Sequence, residues 1–75
     1  MTIAEAAQSV LRSASKPLNV QEIYDEIIRQ NLYSFGAKNP KGVMSQAIRE
    51  RSDANPKVKI IMFKSLGQGI YTLAD

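Results

Sequence analysis

The sequence predicts an α+β domain, a small winged helix in which three helices are followed by a C-terminal β-hairpin wing. Three observations carry this prediction. Apolar residues recur at helical spacing in three stretches between residues 3 and 52. A helix-capping signal precedes each of these stretches. From residue 58 onward the pattern alternates in two short runs separated by glycines, which indicates an antiparallel hairpin.

Helix one is predicted from about Ile3 to Ser13. Thr2 and Glu5 have capping-box spacing, in which the hydroxyl accepts a hydrogen bond from the third helical amide and the carboxylate reaches back. Pro17 breaks the helical stretch because proline lacks an amide hydrogen and disfavours helix in the residue before it. The apolar stripe of this helix comprises Ile3, Ala6, Ala7, Val10 and Leu11.

The second helix repeats the capping signature, with Asn19 and Glu22 three residues apart. Just before it, Leu18 predicts either a strand of one or two residues or a plug into the core. We expect the helix to end near Asn31. On its outer face, Asp25 and Arg29 are four residues apart and predict a weak ion pair. The apolar stripe is predicted to be Val20, Ile23, Tyr24, Ile27 and Ile28.

Residues 32–38 predict a connection whose aromatic side chains, Tyr33 and Phe35, pack back under the helices. Asn39 is then a candidate N-cap, and Pro40 suits the first helical position, where its missing amide hydrogen costs nothing. Helix three is predicted from about Pro40 to Ser52. Its apolar arc comprises Val43, Met44, Ala47 and Ile48.

The hairpin prediction starts from the short apolar segment 58–63, which fits a strand. In this strand Phe63 faces the core with Ile61, while Ile60, Met62 and Lys64 face the other way. A five-residue loop, 65–69, leads to the return strand 70–73. Because an isolated hairpin is marginally stable in water, the three helices must cover one of its faces.

Length and composition limit the function. With 75 residues, the chain predicts a single domain over residues 1–75. The sequence has neither cysteine, which disulfides and thiolate metal sites need, nor histidine, the usual general base. We therefore expect a non-enzymatic protein without cofactor, metal or small-molecule substrate. No apolar run approaches the roughly 20 residues that span a bilayer, so we expect no membrane contact and a cytoplasmic protein, nucleoid-associated in a bacterium or nuclear in a eukaryote.

The positive charge is concentrated in the second half of the chain. Residues 38–64 hold seven basic and two acidic residues, a balance of +5, although the whole chain carries only +3. A basic region on a winged-helix pattern favours double-stranded DNA as the partner. We expect helix three in the major groove and a basic wing on the backbone, with weak, mildly sequence-selective binding. The predicted DNA-binding residues are Lys38, Asn39, Lys41, Ser45, Gln46, Arg49, Lys57, Lys59, Lys64 and Gln68.

Two further residues of helix three complete this prediction. Gly42 would let the helix approach a DNA backbone closely. Arg51 is assigned instead to the helix C-terminus, where its charge suits the dipole. Every soluble helix needs a polar face, so the DNA interpretation depends on the face, the regional charge and the element order together.

Other functions compete with DNA binding. If the helices cover only the Phe63 face of the hairpin, Ile60 and Met62 are exposed and predict a protein partner or a dimer. Tyr33 and Phe35 could stack on single-stranded nucleic acid, although a core role is the more common one. An enzyme has the least support, because the carboxylates lie on predicted solvent faces without a metal-ligand pattern.

Positions along most of the chain match a known family pattern, namely Ala4–Ala7, Val10, Leu11, Pro17, Leu18, Glu22, Ile23, Leu32, Pro40, Phe63, Gly69, Tyr71 and Leu73. On these residues the chain resembles the HARE-type helix-turn-helix, a winged-helix family found in chromatin-associated proteins, in a bacterial RNA polymerase subunit and beside restriction endonuclease domains. The resemblance implies a non-catalytic DNA-binding or adaptor module. It transfers no contact list, because the matching residues are chiefly core and turn positions, and residues 35–41 are the most particular to this chain.

Overall fold

A computed structural model describes residues 2–36 and 38–74 and confirms the α+β winged-helix architecture. Ala37, within the predicted connection, lies outside the described residues. The strands form one antiparallel sheet in the order β1-β3-β2, and Leu18 opens the short first strand. In chain order the elements are α1 (Ile3–Ala14), β1 (Leu18–Asn19), α2 (Val20–Arg29), α3 (Pro40–Glu50), β2 (Phe63–Gly67) and β3 (Ile70–Leu73).

All three helices begin where the capping signals predicted. At α1, the Glu5 amide donates to Thr2 Oγ1 at 3.1 Å and the Thr2 amide donates to Glu5 Oε1 at 2.8 Å. Asn19 and Glu22 make the same reciprocal pair at α2, at 2.8 and 3.0 Å. At α3, Asn39 Oδ1 accepts from the Gly42 amide at 3.2 Å. These bonds satisfy amides that a helix start otherwise leaves without partners.

The core lies between the three helices and one face of the sheet. Tyr33 and Phe35 pack against it as predicted, and the Phe35 ring centroid lies 4.9 Å from that of Tyr33 and 5.4 Å from that of Tyr24. The two aromatic residues are therefore part of the packing rather than free stacking platforms. The buried apolar residues are Ala4, Ala6, Ala7, Val10, Leu11, Leu18, Ile23, Ile27, Met44, Ile48, Phe63 and Tyr71.

Three details of the helix predictions are wrong. Ile28 and Val43, placed on apolar stripes, are both exposed. Helix α3 ends at Glu50 rather than Ser52, because Ser52 leaves the helix to form a buried bridge with Phe63. The predicted pair of Asp25 and Arg29 is replaced by other partners: Arg29 binds Glu26 at 2.7 Å, and Asp25 Oδ1 accepts from Gln21 Nε2 at 2.8 Å.

The hairpin is shorter than predicted. Strand β2 begins only at Phe63, so residues 58–62 precede it rather than belong to it. The turn is two residues long, and its members Gln68 and Gly69 have positive φ angles of 54° and 75°. Positive φ at both turn residues matches the twist of the adjoining strands. The predicted five-residue loop was too long because Ser65 and Gly67 remain paired to β3 across a register shift.

The outer edge of β2 is covered by the chain itself. The Phe63 amide donates to the Arg51 carbonyl at 3.2 Å, and the Asp53 amide donates to the Phe63 carbonyl at 3.2 Å. The Ser65 amide donates to Asp53 Oδ1 at 2.8 Å. A sheet edge occupied in this way is not open to a further strand. The same bonds close the base of a surface loop, residues 54–61, which we call the 54–61 loop.

Candidate nucleic-acid interface

The start of α3 differs chemically from the starts of α1 and α2. The third helical position holds Glu5 in α1 and Glu22 in α2, but Gly42 in α3. The first turn of α3, all of which the structure describes, contains no acidic residue. Lys38 precedes this turn and Lys41 lies within it, both exposed. The start of α3 therefore combines helical amides, the positive dipole end and two cations, which together attract an anion such as a phosphate.

Lys41 also connects two helix starts. Its Nζ donates to Gln21 Oε1 of α2 at 2.8 Å, and Gln21 Nε2 in turn donates to Asp25. This chain of hydrogen bonds holds the Lys41 ammonium between the first turns of α2 and α3. A cation held there lies where a single phosphate could approach both helix starts.

Gly42 has a role that the sequence did not indicate. A Cβ atom at this position would lie 2.6 Å from Asn39 Nδ2, so the capping side chain occupies the space that a larger residue would need. Gly42 is also exposed, which leaves the predicted close approach to a backbone sterically open. The glycine thus fits both the local cap and an uncluttered helix surface.

The exposed side of α3 differs in part from the predicted one. Ser45 is only half exposed, and Gln46 Nε2 donates to Glu50 Oε1 at 3.2 Å. Glu50 and Val43 were not among the predicted contact residues, although both lie within about 60° of Gln46 on a helical wheel. The wheel was therefore the signal that could have found them. We call this side the outer face of α3; it comprises Gly42, Val43, Gln46, Arg49 and Glu50.

The C-terminal end of α3 is closed by hydrogen bonds to its free carbonyls. Asn55 Nδ2 donates to the Glu50 carbonyl at 3.0 Å, and Arg51 Nη1 donates to the Ala47 carbonyl at 3.2 Å, as expected for a cation at a helix end. The buried Ser52 hydroxyl donates to the Arg49 carbonyl at 2.8 Å. These bonds fix the direction in which the 54–61 loop leaves the helix.

The 54–61 loop continues the outer face of α3. One shallow depression is lined by Gln46, Arg49 and Glu50 of α3 together with residues 54–56. A second is lined by Glu50, Arg51 and the loop residues 57–60, and the two share Glu50 and Asn55. Gln46 and Arg49 therefore belong to one continuous surface with the cations of the loop.

The remaining predicted contact residues lie elsewhere. Lys57 and Lys59, assigned to the wing, are exposed on the 54–61 loop instead, since β2 begins later. Lys64 is exposed on β2, and Gln68 forms the hairpin turn. That turn is attached to α2, because the Val20 amide donates to the Gly69 carbonyl at 3.1 Å. The structure thus brings Gln46 and Arg49 together with Lys57 and Lys59, groups Lys38, Asn39 and Lys41 at the start of α3, and leaves Lys64 and Gln68 on the hairpin.

The apolar pair proposed for a protein partner is only half correct. Ile60 is 75% exposed, whereas Met62 is partly buried and packs against the core. The exposed neighbour of Ile60 is Ile61, at 48%. The apolar surface therefore belongs to the 54–61 loop and not to a face of the hairpin.

The opposite side of the molecule is acidic but internally paired. A groove between α1 and α2 contains Glu22, Asp25 and Glu26. Hydrogen bonds from Arg29 and Gln30 lower the pKa of Glu26 to about 2. Glu22 is engaged in the α2 cap and Asp25 with Gln21. Within residues 2–36 and 38–74 there is no cluster of carboxylates suited to a metal ion, and no helix is long and apolar enough to cross a membrane.

Comparison with known proteins gives one finding. Residues 1–58 match the model of the HARE-HTH family, described as a helix-turn-helix domain of ASXL proteins and restriction endonucleases. The matched region contains α1, β1, α2, α3 and the first residues of the 54–61 loop, and it stops before β2. The comparison with curated proteins and the comparison with solved structures each found no match.

Proposed function

The chain belongs to the HARE-HTH family of DNA-binding helix-turn-helix domains, and on this premise we propose that it binds double-stranded DNA with α3 in the major groove. The observation that carries the proposal is the start of α3, where an uncapped dipole end coincides with Lys38 and Lys41. Helix starts of this kind are favourable sites for a phosphate oxygen. In a transcription, chromatin or restriction system, such a module would deliver an attached protein to DNA.

The outer face of α3 has the chemistry to contact base edges. Arg49 can donate to guanine O6 and N7, and Gln46 can pair with adenine through both atoms of its amide. Val43 adds an exposed apolar group that suits a thymine methyl. Glu50 holds the Gln46 amide in one orientation and repels phosphates, so it favours approach by a base edge over a backbone contact.

Phosphate contacts supply most of the affinity in this arrangement. Lys38, Asn39 and Lys41 would meet the backbone at the start of α3, and Lys57 and Lys59 would meet it beyond the other end. Lys64 and Gln68 would contact the flanking backbone from the hairpin. Neutralising four to six phosphates gives a slope of about −4 to −5 for log K against log salt, and an isolated domain of this size should bind at about micromolar Kd.

Titration of a labelled duplex at several salt concentrations tests the proposal. We expect Lys41→Glu and Arg49→Glu each to weaken binding about tenfold or more and to reduce the magnitude of the salt slope by about 1 or more. Lys16→Glu is the matched control, because Lys16 is exposed but lies between α1 and β1. Equal affinities for the wild type, Lys41→Glu and Arg49→Glu would reject the placement of α3 in the groove.

A further inference from the structure

The 54–61 loop is a closed surface loop with a fixed base. The Met62 and Phe63 amides both donate to the Arg51 carbonyl, at 2.7 and 3.2 Å, and Asp53 donates back to the Phe63 carbonyl. Within the loop, the Val58 amide donates to the Asn55 carbonyl at 3.2 Å. Compact loops whose ends meet in this way are often functional. The base holds the loop tip at one position relative to α3.

The tip of this loop combines cations with exposed isoleucines. Lys57 and Lys59 are exposed, and Ile60 and Ile61 follow them with 75% and 48% of their surface in solvent. Single exposed apolar residues are common and need no explanation. Here two β-branched residues are adjacent, follow two lysines, and lie at the end of the outer face of α3. Such a tip can satisfy phosphates and an apolar site at the same time.

We propose that the 54–61 loop enters the minor groove beside the groove occupied by α3, and that Ile60 wedges between two base pairs and bends the duplex. This inference rests on the proposed function. Apolar side chains that partly unstack a base step kink DNA toward the major groove. Lys57 and Lys59 would hold the phosphates on the two sides of the step and offset the cost of unstacking.

The hairpin is less suited to this role than the loop. Its turn is bonded to the first residue of α2 through Val20 and Gly69. Of its two turn residues, only Gln68 has a side chain. The loop, by contrast, projects from its own closed base and carries two lysines. The element that contacts the minor groove is therefore the connection between α3 and β2.

The loop is also better suited to DNA than to a second copy of the chain. A two-fold dimer through Ile60 would bring Lys57 and Lys59 of both copies close together, and like charges across an interface oppose association. Pairing of strand edges is not available along β2, because residues 51–53 occupy that edge. A polyanion removes the charge conflict while still covering the isoleucines.

DNA bending measured by energy transfer tests the proposal, using a duplex of roughly 25 base pairs labelled at both ends, which is stiff when free. We expect the wild type and Ile60→Leu to shorten the end-to-end distance at saturation. Ile60→Ser should abolish the shortening and weaken binding severalfold, with an unchanged salt slope because no phosphate contact is lost. Leu66→Ser is the control, since Leu66 is 50% exposed but lies on β2.

Each result separates the two proposals. Salt-dependent binding without bending by the wild type, or bending retained by Ile60→Ser, overturns the wedge and leaves the groove placement of α3 standing. Absence of salt-dependent binding by the wild type overturns the proposed function itself. Sedimentation that shows a wild-type dimer, lost in Ile60→Ser, would assign the isoleucines to a protein interface and reject the wedge.

Discussion

The starts of α1 and α2 contrast with the start of α3. The first two are closed by reciprocal hydrogen bonds between a cap residue and a glutamate, Thr2 with Glu5 and Asn19 with Glu22. The third has only the single bond from Gly42 to Asn39. All three helices need their first amides satisfied, and a carboxylate there also stabilises the dipole. The difference indicates that α3 forgoes a stabilising charge where an external anion is expected to supply it.

The same contrast extends to the surrounding charges. Arg29, in the last turn of α2, is paired with Glu26, and Asp25 is hydrogen-bonded to Gln21. In the second half of the chain, Lys57 and Lys59 are exposed on the 54–61 loop, which continues the outer face of α3. The first half of the molecule therefore neutralises its own charges and serves as a scaffold. The second half presents cations to a partner.

Giving α3 the missing carboxylate should produce the largest effect. Gly42→Glu places a negative charge at the position that Glu5 and Glu22 hold in the other helices. A like charge within about 5 Å of a bound phosphate costs on the order of 1–3 kcal/mol at an effective dielectric constant of 20 and moderate salt. We expect the Kd for duplex DNA to rise about tenfold or more, measured by fluorescence anisotropy.

Gly42→Gln is the matched variant for this experiment. Its side chain has nearly the same shape and meets the same Asn39 amide, but it carries no charge. We expect its affinity to stay within about threefold of the wild type, since neutral groups at a helix start leave the dipole intact. If Gly42→Glu and Gly42→Gln bind DNA equally, the start of α3 is not a phosphate site and the comparison loses its functional meaning.

Removing a cap from the closed group should affect stability and not binding. Thr2→Ala deletes the hydroxyl that accepts from the Glu5 amide, and loss of an N-cap typically costs about 1 kcal/mol. For a domain of this size, that corresponds to a decrease in Tm of about 4–8 °C. We expect the free energy of unfolding to fall accordingly while the Kd for duplex DNA is unchanged, because Thr2 lies at the start of α1. A Kd that rises in parallel would mean that α1 takes part in binding.

Local signals in the sequence were enough to predict the helices. Capping pairs act over three residues, so Thr2 with Glu5 and Asn19 with Glu22 could be identified without knowledge of the fold. The buried side chains followed from helical periodicity in the same way. Both errors, Ile28 and Val43, fall at the margin of an apolar arc, where burial depends on what packs opposite. Arg29 chose Glu26 over Asp25 because Gln21 already engages Asp25.

The site could be predicted only in part, because its shape depends on contacts that are distant in sequence. Gln46 and Arg49 were placed on the exposed side of α3 by the wheel alone. The 54–61 loop was mistaken for a strand because alternation of Lys57, Val58 and Lys59 is typical of one. What prevents the strand is the bonding of residues 51–53 to β2, which turns the chain outward before Phe63. No local pattern indicates that bond.

Acid should distinguish the closed helix starts from the open one, with the smallest effect. Hydrogen bonds from the Thr2 amide and side chain lower the pKa of the Glu5 carboxyl below its ordinary value. A lowered folded-state pKa means that the stabilisation is present above the unfolded value, about 4.3, and is lost as pH falls through the folded value. Amide chemical shifts followed from pH 6 to pH 2 should therefore move at Glu5, while Gly42 lacks a capping carboxylate to lose.

Glu5→Gln isolates this contribution, because glutamine keeps the capping-box geometry without a titrating group. In this variant we expect the shift of the residue 5 amide to lose its acid transition. The unfolding temperature should still fall at low pH, because Glu26, with its pKa lowered to about 2 by Arg29 and Gln30, remains and titrates in the same direction. If the Gly42 amide instead titrates together with Glu5 in the wild type, a carboxylate acts on the start of α3 and the distinction between open and closed helix starts is lost.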